Sequence, residues 1–191
     1  MEAKVLERVV KSDYDGKLEP VEHSILTRMQ RDSLNKLSSF EAPYLEEKLH
    51  MTGKFTDKES YQKSFIEFKK FAGLFGLGYG DLAMASPEVD ELWHQFILFT
   101  RQYASFCDEY LGNFLHHTPE TSYTGLGGGK SEGVRKFVRA YSEVFGELPE
   151  IWNIKPKEFN LNGKGANCTI GCSGSGCSGT NCSGTMCGCN K

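Results

Sequence analysis

Two groups of residues in this sequence are of the types, and at the spacings, that do chemistry. The first is built on His94. Asp90 lies four residues before it, so on a helix the carboxylate sits one turn away and can hold one imidazole nitrogen. That pairing fixes the tautomer and frees the other nitrogen for a ligand or a proton. Arg101 lies two turns after His94 on the same side of such a helix. His116 and His117 follow just before Pro119, so three of the five histidines fall within 24 residues. Asp90, His94, His116 and His117 therefore make a candidate metal site or polar pocket, with His94, Asp90 and His116 as the set an enzyme would use. The competing reading is that the rings bond to backbone carbonyls and lock a loop to the helix. No HExxH and no paired CxxC accompanies them. If His94 holds a buried partner, its replacement by Ala should cost about 1–3 kcal/mol.

The second group is thiols. Cys107 falls in an apolar stripe and reads as a packed core thiol rather than a nucleophile. The other six, Cys168, Cys172, Cys177, Cys182, Cys187 and Cys189, crowd into 22 residues. From Cys172 they recur every five residues among Gly, Ser and Thr, ending in the chelating pair Cys187-Gly188-Cys189. Thiolates on so pliant a backbone suit a soft ion, Zn2+ or Cu+, and binding would order the segment. Three other readings stand beside it. The tail could be a flexible low-complexity segment with no partner. It could be the core of a precursor peptide whose Cys, Ser and Thr a modifying enzyme cross-links. It could also be a stacked repeat joined by disulfides, which needs an oxidising setting.

The elements that must position these groups read as helices. Residues 1–11 form a short one. Pro20 reads as the first residue of a helix to about Leu37, with Ile25, Met29 and Leu37 apolar. Another covers roughly Ala42 to His50, ended by Gly53. Thr56-Asp57-Lys58-Glu59 is a capping box for a stronger helix carrying Tyr61, Phe65, Phe68, Ala72 and Phe75, which Gly76 to Gly80 ends. Ser86-Pro87-Glu88 opens the helix that bears His94, with a good N-cap, Pro at the first position and acids in the first turn. It is expected to run to about Tyr110 and stop at Gly112. Its main stripe is Val89, Leu92, Trp93, Phe96, Phe99, Tyr103, Phe106, Cys107 and Tyr110, with Ile97 and Leu98 outside it. A helix apolar on more than one side is usually central. Thr118 to Lys130 is a loop. Ser131 begins a last helix to Phe145, stopped by Gly146, and Glu147 to Trp152 is extended with its Trp packed on the body. No stretch reads as a strand. The class is all-α, a helical bundle of about five or six helices.

Composition bounds the rest. The chain has 191 residues, 39% hydrophobic and 12% aromatic, enough for one cored domain plus extras. Residues 161–191 contain no Phe, Tyr or Trp and carry +2. They cannot offset their ordering entropy by burial and are expected to be disordered. The division is therefore a helical domain over 1–160 and a flexible Gly/Ser/Cys-rich tail over 161–191. A net charge of −3 gives no reason to expect nucleic acid or an anionic membrane. No run is long and apolar enough to span a membrane, and the N-terminus lacks the apolar core of a signal peptide. The expected compartment is the reducing cytoplasm.

The run Val89-Asp90-Glu91-Leu92-Trp93-His94-Gln95-Phe96-Ile97-Leu98-Phe99-Thr100-Arg101-Gln102-Tyr103, then Phe106-Cys107, then Gly112 to Pro119, resembles the glycine-rich domain-containing protein family. The family's pattern is approximately VDxxWHxHILxTxxYxxFC followed by GxFLHHxP. Phe68-Lys69-Lys70-Phe71, Ser86-Pro87 and the Tyr141 to Trp152 segment also fit, so the resemblance covers roughly 40–155. It marks Asp90, Trp93, His94, Thr100, Tyr103, Cys107, His116, His117 and Trp152. Where the family commonly has a second histidine this chain has Phe96, on the apolar stripe. Glycine-rich or Cys/Gly-rich tails are common in that family.

The function these readings imply is a non-enzymatic binding or scaffold protein whose cysteine tail coordinates a soft metal or senses redox state. The alternatives are the modified-peptide precursor and an enzyme using His94, Asp90 and His116. Its partners are expected to be a metal ion and a protein, or a modifying enzyme.

Overall fold

The computed structural model describes residues 16–55, 57–118 and 129–154, the side chains of 129–131 excepted. All of these fall within one unit of the chain, Met1–Leu161. The helix expected over 1–11, the cap at Thr56, most of the Thr118–Lys130 loop and the six tail cysteines lie outside the described residues.

Among the described residues there are six α-helices and no strand: α1 (Arg28–Ser38), α2 (Pro43–Met51), α3 (Lys58–Gly76), α4 (Pro87–Leu98), α5 (Thr100–Phe106) and α6 (Gly129–Phe145). A π-helical turn, Cys107–Leu111, prolongs α5, and a 3-10 turn, Glu150–Trp152, follows α6. The class is all-α, as the helical periodicity predicts. Among these residues no helix is long and apolar enough to cross a membrane.

α3 is the central element, packed against α1, α4 and α6. Its sequence requires this, because Tyr61, Phe65, Ile66, Phe68, Phe71, Ala72 and Leu74 are buried around most of its circumference. α1 comes close enough that a Cβ on Gly73 would lie 2.9 Å from Leu34 Cδ2. The space between α3, α4 and α5 is filled by rings: Phe68, Phe96, Tyr103 and Phe106 are all nearly or fully buried. Phe96 meets Tyr103 edge to face at 5.1 Å and Phe68 at 5.8 Å. Phe96 thus sits in dry core.

Four sequence expectations are corrected. α1 begins at Arg28, not Pro20. Leu18 is fully buried, its N–H donates to Ser38 Oγ, and Val21 N–H donates to Val144 O, so this stretch is held along the bundle. The cap is instead Thr27 with Gln30, a reciprocal capping box, and Ile25 and Met29 are exposed. α3 is capped by Asp57, whose side chain accepts from Ser60 N–H, one residue later than the box read from Thr56. The segment before Trp152 closes as a 3-10 turn rather than staying extended, although Trp152 is fully buried as expected.

The fourth correction bears on the site. The helix expected from Pro87 to Tyr110 breaks at Phe99, which sits at φ −83°, ψ 61°. Neither Gly nor Pro marks the break. Phe99 packs on Tyr44 of α2 at 5.0 Å, and its carbonyl still accepts from Tyr103 N–H, so α5 restarts at once. Gly112 then stops the run in the left-handed region at φ 74°, as predicted.

Candidate functional site

α4 is well started. Ser86 Oγ accepts from Val89 N–H at 3.3 Å, and Pro87 occupies the first turn. That places Asp90 in the first turn, where the helix dipole favours its negative charge. His94 stands one turn on, with Nδ1 3.7 Å from Asp90 Oδ2. The two side chains stand one turn apart as the spacing expects, but the distance is longer than a hydrogen bond.

His117 joins them from beyond Gly112. Tyr103 is buried and its hydroxyl donates to Leu115 O, while Trp93 Nε1–H donates to Tyr103 Oη at 2.9 Å. Leu115 itself is buried. This pin between α4, α5 and the chain after the π turn sets the backbone two residues before His117. His117 Nε2 then lies 2.9 Å from Asp90 Oδ1. A carboxylate only accepts, so the ring N–H is the donor. The His117 ring also meets Trp93 edge to face at 4.4 Å and His94 at 4.4 Å.

Asp90, His94 and His117 each offer one donor atom, and these three atoms lie within 4.8 Å of one another. The ligand atoms of a tetrahedral ion with bonds of about 2.1 Å lie roughly 3.4 Å apart. Each histidine approaches its own carboxylate oxygen at a distance near that value, His117 Nε2 lying 2.9 Å from Oδ1 and His94 Nδ1 3.7 Å from Oδ2. The side chains are 34%, 41% and 10% exposed respectively, so one side of the cluster faces solvent and a further ligand has room. The group is suited to holding a cation.

The remaining sequence candidates fall elsewhere. His116 is exposed and its ring meets that of Phe114 at a tilt, 4.8 Å between centroids, so the trio His94, Asp90 and His116 is not brought together. Neighbouring residues on an extended chain point to opposite sides, and only His117 can face α4. Arg101 is exposed, beyond the break at Phe99. Cys107 is buried beside Tyr103, and burial pushes its thiol up, which suits a packed core thiol and not a nucleophile. Burial likewise pushes the Tyr103 phenol up.

Two charged residues escaped the sequence reading. Glu67 is fully buried, accepting from Tyr141 Oη at 2.8 Å, Trp152 Nε1 at 2.7 Å and Lys70 Nζ at 2.8 Å. Lys69 is buried too, donating to Ser38 O at 2.9 Å and Phe40 O at 3.4 Å. Burial pulls its ammonium down to about 8. The signal was the crowding of rings around α3: a helix apolar on several sides cannot bring every charge to water.

A model of the UCP032817-like family matches residues 32–160, a span holding α2 to α6, the Asp90 cluster and Glu67. No curated protein and no solved structure matches.

Proposed function

This chain belongs to the UCP032817-like family, and we propose that it is a non-enzymatic, helical metal-binding scaffold. In this reading Asp90, His94 and His117 hold one divalent ion. Mixed carboxylate and imidazole donors suit Zn2+. The observation that carries the reading is the convergence of the three donor atoms within 4.8 Å on a face open to solvent. Uptake would displace the proton His117 shares with Asp90, and the Trp93–Tyr103–Leu115 pin would hold the ring in place. The likeness to glycine-rich domain-containing proteins belongs to the same proposal. So does the tail, whose six cysteines would take a soft ion or report redox state in a reducing cytoplasm, where thiols persist. A protein partner, to which the scaffold presents the ion, completes it.

The test is zinc titration calorimetry on three full-length proteins: the natural chain, one with the six tail cysteines changed to Ser, and that variant with His117→Ala as well. The second should keep one equivalent of zinc and the third should lose it. An all-Ser-tail protein that takes up no zinc overturns the cluster as a metal site. Stoichiometry equal in the first two removes the tail from metal binding. Intact mass of protein from its native host addresses the modified-peptide reading, which requires water losses or thioether links.

A further inference from the structure

Along residues 114–117 the side chains alternate. Leu115 is buried and His117 turns inward to Asp90, while Phe114 and His116 are exposed on the other side of the chain. His116 therefore does not serve the cluster of its own chain. Among the described residues its ring nitrogens have no hydrogen-bond or ion-pair partner, and its ring meets only that of Phe114. Leu98, one turn beyond His94 on α4, is exposed as well. A free imidazole and two exposed apolar side chains thus accompany a cluster that offers three donor atoms, whereas a tetrahedral zinc ion takes four.

We propose that the protein partner is a second copy of this chain, and that His116 of each copy is the fourth ligand of the other copy's ion. This rests on the reading of Asp90, His94 and His117 as a zinc site. In a two-fold pair one patch serves both copies, so a donor and the site it fills in the other copy must share one surface. His116 meets that condition, because it is next in sequence to a ligand and faces outward. His50 has other work: its Nδ1 lies 3.1 Å from Phe55 O and its Nε2 faces Glu46. A neutral imidazole is an ordinary zinc donor, and the same contact covers Leu98 and Phe114 of both copies.

The experiment is sedimentation velocity with zinc on the full-length chain whose six tail cysteines are changed to Ser, which removes competing thiolates. This protein should be a monomer in a chelator and a dimer with one zinc per chain. His116→Ala, at an exposed position, should keep the metal-free thermal midpoint, hold zinc at least about tenfold more weakly and stay monomeric. His117→Ala should stay monomeric too. Mixed together, the two variants can assemble one complete site, from Asp90, His94 and His117 of one chain and His116 of the other. A heterodimer holding one zinc should then form. A zinc-loaded monomer of the parent protein, with water as fourth ligand, overturns the second copy and leaves the metal site standing. A zinc-dependent dimer of His116→Ala, or a mixture that stays monomeric, does the same. No zinc uptake by the parent sinks the metal site and this inference together.

Discussion

Glu67 and Asp90 are both carboxylates ringed by donors, and they do opposite things. Glu67 is sealed between α3, α6 and the turn that carries Trp152. Its oxygens are taken by a phenol, an indole N–H and an ammonium, which leaves it nothing to offer a ligand. Asp90 stands at the margin of the bundle, a third exposed, with a solvent-facing histidine on one side and a shielded one on the other. Saturation makes a carboxylate structural; incomplete saturation beside water makes it available. The same residue type becomes a tie or a site according to how many donors surround it.

The most severe break of this comparison is Glu67→Ala. It strands the Lys70 charge, the Tyr141 hydroxyl and the Trp152 N–H, and should cost about 3–5 kcal/mol in urea unfolding. Zinc affinity of the remaining folded protein should stay unchanged. A parallel loss of both would mean the two regions are one unit. Next is Tyr103→Phe, which unpins Leu115 and orphans the Trp93 N–H, at about 1–3 kcal/mol. Unlike Glu67→Ala, it should also weaken zinc binding, by about tenfold, because it loosens the approach of His117.

A third contrast is with Lys69. Burial holds the folded amine near 8, against 10.5 for a free lysine. Between those values the unfolded chain binds more protons than the folded one, so stability should rise with pH across that window. The gain, of order 1–3 kcal/mol, should disappear in Lys69→Met. Chemical denaturation between about pH 7.5 and pH 9.5 measures it, below the range where the buried phenols of Tyr61 and Tyr103 begin to oppose it. A flat profile in the natural protein would show that the amine is not desolvated.

Among the cluster residues, a small cost in stability is expected at His94. The sequence allowed about 1–3 kcal/mol for His94→Ala if a buried partner were orphaned. The pair with Asp90 is 3.7 Å long and more than a third exposed, so its loss should cost under about 1 kcal/mol. Zinc binding should nevertheless be lost, which separates ligand from brace. Arg101→Ala, beyond the Phe99 break, should change neither quantity.

Much of the fold was legible. The stripe through α3, the Ser86-Pro87 start of α4, the Gly112 and Gly146 stops and the burial of Trp152 all follow from local rules of spacing and capping. The Asp90–His94 pair was legible for the same reason, since one helical turn fixes it. The choice of His117 over His116 was not, because it depends on Tyr103 reaching across to Leu115. The true start of α1 was hidden as well: Pro20 fits a first turn, yet tertiary bonds to Ser38 and Val144 hold that stretch outside the helix.

The sequence by itself determined where chain can coil and where it must turn, because hydrophobic period, caps and glycines act within a few residues of each other. Only the tertiary structure decided which charges meet water. Glu67, Lys69 and Asp90 look alike in a string of letters. Their fates diverge through rings and carbonyls brought in from α1, α6 and the chain after Gly112, contacts that no local spacing encodes.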